Sequence, residues 1–185
     1  MSRSGIAPGL LLAMPQLLDP NFARSVVLMI EHGEDHSFGL VVNRTTEFRA
    51  SDVLESMGIH WGADAGEVVW SGGPVMPNSG WLLHDDLARA ENEGTYPLTG
   101  ELALSTSPEE LRAVVEAPTG SLRFLMGYAG WGAGQLEGEL AQGAWLVADA
   151  TRRLVFETEP ERMWQAALES IGVDPSSLFT ASGVH

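Results

Sequence analysis

Short runs of apolar residues, several of them rich in β-branched side chains, recur along the chain and predict a buried β-sheet. Runs without alternating polar positions are typical of strands whose two faces are both covered. The runs that we expect at the centre of the sheet are Val26–Ile30, Phe38–Val42 and Leu122–Met126. Further strands are predicted at Glu67–Trp70, Trp81–His84, Trp145–Ala148 and Arg153–Phe156, the last two paired as a hairpin around Asp149-Ala150-Thr151.

Helical spacing of apolar residues and local capping signals predict the helices. The strongest signal is Ser107-Pro108-Glu109-Glu110, where Ser107 caps the helix, Pro108 takes its first position and Glu110 closes a capping box. This helix is predicted to run to about Glu116. The other predicted helices are Ser51–Met57, with Ser51 as its cap and Gly58 following it, Gln135–Gln142, and a last helix from Pro160 to Gly172.

The predicted strands come both in adjacent pairs and separated by helices. This order favours an α+β fold over a regular doubly wound one. We therefore expect a single compact domain over residues 1–185, with a mixed, largely antiparallel β-sheet flanked by helices. The segment from Trp61 to Gly66 gives the weakest signal and is a candidate mobile loop.

The charge of the chain narrows the classes of partner. Its 25 acidic residues stand against 10 basic ones, all of them arginine, and the net charge is −15. Such a chain repels nucleic acid and anionic membranes at long range, so we expect neither as a direct partner. A typical duplex binder makes about 6–10 phosphate contacts, which would engage most of these arginines.

Two further features bear on compartment and chemistry. The chain has no cysteine, which excludes disulfides, thiol nucleophiles and cysteine-ligated metals. The uncharged stretch from Gly5 to Leu18 is broken by Pro8, Gly9 and Pro15, so we interpret it as a buried strand or extended segment and not as a signal peptide. These features predict a cytoplasmic protein, either a monomer or a homodimer, with no cofactor and no bound metal.

The segment Gly127-Tyr-Ala-Gly-Trp-Gly-Ala-Gly-Gln135 is the most unusual in the chain. It follows a predicted strand and opens a helix, so its amides suit an anion, but it lacks the lysine and the Ser/Thr of a P-loop. The simpler interpretation is a tight connection packed around Trp131. The candidate ligand-binding residues are Asn43, which ends a predicted core strand, and Gly130, Trp131, Gly132, Gly134 and Gln135.

Histidines beside carboxylates supply the candidate catalytic groups. His84 precedes Asp85 and Asp86 at a strand end, where a general base is often placed, although a structural histidine explains the pattern equally. His32 and His36 lie with Glu31, Glu34 and Asp35 in a predicted turn. A solvated turn explains that cluster better than a metal site does. No Gly-x-Ser-x-Gly nucleophile motif is present.

Taken together, motifs along most of the chain resemble the YqgE/AlgH family of bacterial proteins. The most distinctive is Gly127-Tyr-Ala-Gly-Trp131 followed by Gly134-Gln-Leu-Glu137. The remaining motifs are Gly9-Leu-Leu-Leu-Ala-Met-Pro15, Asp19-Pro-Asn-Phe22, Arg24-Ser-Val-Val27 with Glu31-His32, Gly39-Leu-Val-Val-Asn43, Gly72-Gly-Pro-Val75, Leu83-His84, Glu139-Leu140 and Trp145. The resemblance implies a compact α+β fold and a cytosolic location, and assigns no activity and no catalytic residue. Some relatives carry the label of transcriptional regulator.

Three functions follow from these features. The first is a binding or regulatory protein that acts through a protein partner or a small ligand. The second is an enzyme, a hydrolase or nucleotide-handling protein, with His84 or His32 near the glycine segment. The third is a transcriptional regulator, for which the charge argues against direct DNA binding. Convergence of the glycine segment, His84 and Asn43 in one pocket would favour the enzyme.

Overall fold

The computed structural model describes residues 6–15, 17 and 22–178, and within them the chain forms a ten-stranded sheet. The strands are β1 (Gly9–Ala13), β2 (Val26–His32), β3 (His36–Val41), β4 (Thr45–Arg49), β5 (Val68–Ser71), β6 (Val75–His84), β7 (Thr95–Pro97), β8 (Ala103–Ser105), β9 (Leu122–Gly132) and β10 (Trp145–Ala148). The helices are α1 (Ala50–Ser56), α2 (Pro108–Glu116), α3 (Gln135–Ala141), α4 (Arg152–Phe156) and α5 (Pro160–Ser170).

The sheet runs in the order β10-β1-β2-β3-β9-β6-β8-β7, with β4 and β5 joined to it through β9. Neighbouring strands are antiparallel except β5 and β9, which pair in parallel through Trp70 with Leu125 and Ser71 with Met126. The predicted α+β fold, a single compact domain with a mixed and largely antiparallel sheet, is confirmed. Each of the three predicted central strands is a strand of this sheet.

Burial explains why the apolar runs form the centre of the sheet. All five residues of β1 are buried, as are the first four of β2, so both faces of these strands are covered. Helix α5 packs the side that carries Met163, Trp164, Ala167 and Leu168 into the core. The Trp164 indole Nε1 donates to the carbonyl of Ala13 over 2.8 Å, which ties α5 to β1. None of the described helices is long and apolar enough to cross a membrane.

The prediction that Arg153–Phe156 is a strand paired with Trp145–Ala148 is wrong, because this segment lies in helix α4. Thr151 caps it, its hydroxyl accepting from the amide of Leu154 over 3.2 Å. Leu154 and Val155 are adjacent in sequence and both buried, a pattern that suits a short helix as well as a strand. The strand β10 instead pairs with β1, Leu10 opposite Ala148.

The prediction of a tight connection over residues 127–134 is wrong in its first part. Strand β9 continues to Gly132, and only Ala133 and Gly134 connect it to α3. The predicted helix at Gln135 is confirmed. Gly127 and Gly134 have φ angles of 81° and 74°, a region that favours glycine.

Capping differs from the predictions at two helices. Ser107 caps α2 as predicted and accepts from the Glu110 amide over 3.2 Å, but the Glu110 carboxylate turns inward and completes no capping box. The cap position of helix α1 is Arg49, two residues before the predicted cap Ser51, so Ser51 lies inside the helix.

The candidate mobile segment from Trp61 to Gly66 is irregular but well packed at its start. Trp61 is buried, and its indole donates to the Asp64 carbonyl over 2.8 Å. The amide of Gly62 donates to the carbonyl of Val115 over 2.7 Å, which fixes the segment to the end of α2. Part of the resemblance, Asp19 to Asn21, lies outside the described residues.

Candidate functional site

A surface groove of about 660 Å³ opens where β3, β9 and β6 meet. Its lining is mostly apolar and comes from His36, Ser37, Phe38, Val75, Met76, Ser79, Trp81, Tyr128, Gly130 and Trp131. None of these lining residues is a lysine or an arginine. A cavity of this size, apolar with few polar groups, is the usual form of a ligand site.

Three half-buried aromatic rings form the floor of the groove. The ring centroids of Phe38, Trp81 and Tyr128 lie 5.7 to 6.0 Å apart, and Tyr128 meets both others edge-on. Such contacts hold aromatic rings in fixed positions. The Trp81 indole N–H is buried without a hydrogen-bond partner, so a donor is left unused beneath the groove.

A crossing of the chain over β9 creates the wall of the groove. Strand β5 pairs with one side of β9, and β6 returns along the other side, with Val75 opposite Tyr128. The crossing brings Gly73 and Gly127 together so closely that a Cβ on Gly127 would lie 2.3 Å from the Gly73 carbonyl oxygen. Only glycine allows the two backbones to come so close, which explains why positions 73 and 127 are both glycine.

Beyond the crossing, β6 separates from β9 and displays apolar side chains. The register jumps from Val75 opposite Tyr128 to Gly80 opposite Met126, so residues 76–79 bulge outward. Val75 is 36% and Met76 60% exposed, and Met76 has a φ of 44°, which is uncommon for a residue with a side chain. The wall is therefore an exposed apolar edge in a strained conformation.

At its far end the groove reaches the glycine segment. Gly130 and Trp131 line it, but Trp131 is only 4% exposed. The Glu139 Oε1 atom accepts from the indole of Trp131 over 2.9 Å and from the indole of Trp145 over 2.8 Å. Gly132, Gly134 and Gln135 instead build the start of α3, where the Gln135 side-chain oxygen accepts from the Gly132 amide over 3.0 Å.

The hairpin between β2 and β3 places acidic groups beside the groove. His36 Nε2 lies 2.6 Å from Glu31 Oε1, and Glu34 and Asp35 are exposed in the turn just before His36. His32 is held by Ser37 Oγ at 2.6 Å and by Glu137 at 3.4 Å. No three histidine or carboxylate side chains of the described residues come together as a metal would require.

His84 lies away from the groove, in a buried chain of hydrogen bonds. Its Nδ1 accepts from the Asp86 amide over 3.1 Å, so the ring proton sits on Nε2 and is donated to Ser105 Oγ, 2.8 Å away. Ser105 then donates to Thr95 over 2.7 Å, and Thr95 donates to the Glu110 carboxylate over 2.7 Å. All three hydrogen bonds therefore run in one direction, from His84 toward Glu110.

That direction is the opposite of the one that a serine nucleophile requires. In a catalytic pair the serine donates its proton to a histidine nitrogen that acts as the base. Here the histidine donates, and His84 and Ser105 are 1% and 0% exposed. Burial holds the pKa of His84 below its ordinary value of 6.5, against the pull of Asp86 and Asp85. The geometry favours a structural role for His84 over the catalytic one.

Glu110 is the last acceptor in this series of hydrogen bonds. Desolvation opposes its charge, but hydrogen bonds from Thr95 and Asn92, together with the charge of Arg89, outweigh it and hold the pKa below the ordinary value of 4.5. The charged carboxylate thus accepts from several donors at once, as buried carboxylates must. The sequence predicts only a capping role for Glu110, because its partners Arg89, Asn92 and Thr95 lie 15 to 21 residues away and no local pattern connects them to it.

Asn43 joins two segments of backbone. Its side-chain oxygen accepts from the Val26 amide over 3.0 Å, and its Nδ2 donates to the Arg24 carbonyl over 3.1 Å. It borders a separate recess of about 360 Å³ near the start of α5. The glycine segment, His84 and Asn43 therefore do not share one cavity, and the convergence that would favour an enzyme is not found among them.

Of the residues that line the groove, the sequence proposes only Gly130 and Trp131 as ligand-binding residues, and those it misses include Phe38, Val75, Met76, Trp81 and Tyr128. Phe38 and Trp81 lie in predicted strands, so the sequence indicates only a place in the core for them. The available signal was the Val-Met-Pro-Asn stretch at 75–78, where two apolar side chains precede Pro77 in a segment too polar to form a core strand.

Comparison with known proteins agrees with this fold. A model of the AlgH-like family matches residues 10–176. A UPF0301 protein of Myxococcus xanthus is 44% identical over 97% of this chain and 98% of its own, and one from Alcanivorax borkumensis is 41% identical over 99% and 98%.

Two solved structures are similar over nearly the whole chain. The solution structure of the AlgH protein from Pseudomonas aeruginosa has a TM-score of 0.75 at 36% identity and covers 96% of each chain. The crystal structure of a protein from Corynebacterium diphtheriae has a TM-score of 0.73 at 26% identity, covering 91% of this chain and 89% of that one. The chain belongs to the AlgH-like family.

Proposed function

We propose that this protein is a binding protein of regulatory type, and that the groove between β3, β9 and β6 is its binding site. The observation that carries the proposal is the apolar wall formed by Val75 and Met76 above the aromatic floor. Exposed apolar side chains around a concave surface mark sites where a ligand or partner excludes water. The strained backbone at Met76 also supports the proposal, because strained residues are concentrated at functional sites.

The same features support action through a protein or an uncharged ligand, and not through DNA. The lining residues carry no positive side chain that would neutralise a phosphate. The acids of the β2–β3 hairpin add repulsion beside the groove. An enzymatic function at this groove is the weaker candidate. Ser37 lines the groove, and its hydroxyl lies 2.6 Å from Nδ1 of His32, whose Nε2 is 3.4 Å from Glu137. Ser37 is only 3% exposed, however, which leaves this hydroxyl little access to a substrate.

A neutral apolar fluorophore tests the proposal. N-Phenyl-1-naphthylamine gains fluorescence when it leaves water, and we expect saturable binding to the protein. Burying a naphthalene-sized group removes roughly 150 to 250 Å² of apolar surface from water, enough for measurable affinity. Met76→Glu should abolish the signal, because it places a charge on the wall of the groove.

The matched control is Met57→Glu. Met57 is 57% exposed, close to the 60% of Met76, but it follows α1 and does not line the groove. The two variants change charge and apolar surface alike. Equal binding by both variants, or equal loss in both, would contradict the proposal.

A further inference from the structure

Strand β9 has one uncovered edge beside the groove. On the side of β6, its last paired residue is Tyr128, opposite Val75. On the other side, β3 pairs with Ala129 through Gly132. Beyond Tyr128, none of the described strands pairs with β9 on the β6 side, and Gly130 and Gly132 are both exposed there.

An uncovered strand edge presents hydrogen-bonding groups at every second residue. Because β3 takes the groups on one side of β9, the alternate groups of residues 129–132 face the open side. The Gly132 amide is already taken by Gln135, which sets one end of the open stretch. The face of β9 next to this edge is open at Gly132, where a Cβ would have no atom within 4 Å, and a Cβ on Gly130 would lie 3.5 Å from the ring of Tyr128. Extended polypeptides bind such edges as an added strand.

The negative charge of the protein determines which extended polypeptides are favoured. His36 lines the groove at the end of the β2–β3 hairpin, which carries Glu31 against His36 and the exposed carboxylates of Glu34 and Asp35. The protein carries a net charge of −15, so its long-range field favours a basic partner. The apolar floor adds a requirement for an apolar side chain on the face that meets Phe38, Trp81 and Tyr128.

We infer that the groove captures an extended, basic segment of a partner protein, which adds a strand to β9 along residues 129–132. An apolar side chain of that segment rests on the three aromatic rings. Its basic side chains meet the carboxylates of the β2–β3 hairpin. This inference rests on the proposed function and gives it a class of partner.

A labelled peptide of about nine residues, long enough for one strand and alternating leucine with arginine, is the probe. We expect saturable binding in fluorescence anisotropy at about 150 mM salt, where nonspecific attraction between exposed charges is screened beyond about 8 Å. Two N-methylated versions test strand addition, one methylated at the leucines and one at the arginines. Since only alternate peptide groups face the protein, one version should lose at least about tenfold in affinity while the other keeps it.

Charge is tested by matched variants of the protein. Glu34→Lys with Asp35→Lys should weaken the peptide about tenfold relative to Glu91→Lys with Glu93→Lys. Both pairs are exposed and change the net charge equally, but only the first pair lies beside the groove. Full affinity in both methylated peptides would overturn the inference, as would equal weakening by the two charge variants.

The naphthylamine titration separates the two proposals. If the wild-type protein binds the fluorophore and Met76→Glu does not, while the leucine–arginine peptide fails to bind, the inference is wrong and the groove is still a binding site. If neither probe binds, the proposed function fails with it.

Discussion

The imidazole of His84 donates its Nε2 proton to the hydroxyl of Ser105, 2.8 Å away, and does not receive one from it. The amide of Asp86 fixes this tautomer by donating to Nδ1. The two residues therefore look like a catalytic pair by distance alone, but their hydrogen bond runs in the opposite direction. Burial, together with the Asp86 amide that donates to Nδ1, makes the neutral ring the stable form of His84 in the folded protein.

This arrangement predicts a specific dependence of stability on pH. The pKa of His84 is lowered by folding, so the unfolded chain takes up a proton at higher pH than the folded one does. The stabilisation from neutral His84 is fully present above the unfolded value of about 6.5 and declines as the pH falls below it. His84→Gln should lack this decline.

Urea unfolding of both proteins between about pH 8 and pH 5 measures the difference. We expect the wild type to have the larger free energy of unfolding at about pH 8, and its difference from His84→Gln to become smaller as the pH decreases. A gap that stays constant, or that widens toward low pH, would show that the folded protein does not disfavour the charged ring.

Glu139 holds two tryptophans through one oxygen, and its removal should be costly. Glu139→Ala leaves the indole N–H groups of Trp131 and Trp145 without their acceptor. An unsatisfied buried polar group costs about 1–3 kcal/mol, so a loss of about 2 kcal/mol or more is expected. Denaturant unfolding followed by tryptophan fluorescence measures it.

Glu137→Ala is the control for that loss. Glu137 lies on the same turn of α3 and is half exposed, and its one ion pair with a described residue is to the ring of His32. Exposed pairs contribute about 0–1 kcal/mol. If Glu137→Ala destabilised the protein as much as Glu139→Ala, the shared acceptor would not be the cause.

Three glycines of one segment should respond differently to alanine. Gly127 has a φ of 81° and a Cβ there would strike the Gly73 carbonyl at 2.3 Å, so Gly127→Ala should cost about 2 kcal/mol or more. Gly134 has a φ of 74° but open space, so only the backbone cost of about 1 kcal/mol remains.

Gly132 has neither restriction, and Gly132→Ala should change stability by less than about 0.5 kcal/mol. Thermal unfolding of the three variants gives the ranking. Equal effects at Gly127 and Gly132 would mean that the chain crossing does not require the glycine.

Binding to DNA is predicted to be absent. Four of the ten arginines, Arg89, Arg112, Arg123 and Arg152, already pair with carboxylates. The other six would all have to reach one duplex to make even the lower number of the about 6–10 phosphate contacts of a typical binder. Anisotropy titration with random duplex at about 50 mM salt favours nonspecific binding most strongly. Saturable binding below about 10 μM that weakens steeply with salt would contradict the proposal of a protein or uncharged ligand.

The central strands, the two longest helices and the α+β class could be predicted from sequence because each depends on local periodicity or capping. Ser107 with Pro108 gives the start of α2, and the apolar runs give β2 and β3. The sequence does not distinguish helix α4 from a strand, since Leu154 and Val155 would be buried in either. A run of five residues carries too little periodicity to decide.

The site was harder to predict because it depends on pairing between distant segments. Gly130 and Trp131 were among the candidate residues and do line the groove. The other lining residues meet them only because the chain crosses β9 at Gly73 and Gly127. The direction of the His84 bond depends in the same way on Ser105, Thr95 and Glu110, which no spacing in the sequence connects.

Mapping the bound fluorophore by protein-observed NMR tests the central claim most directly. With N-phenyl-1-naphthylamine added to ¹⁵N-labelled protein, we predict the largest shift changes at the Trp81 indole N–H and at the amides of Met76, Tyr128 and Gly130. These groups border the groove, and the indole N–H has no hydrogen-bond partner among the described residues. A further recess of about 900 Å³ lies along α4 and α5 and is lined among others by Leu154 and Ile171. Shift changes concentrated there would contradict the assignment of the groove as the binding site.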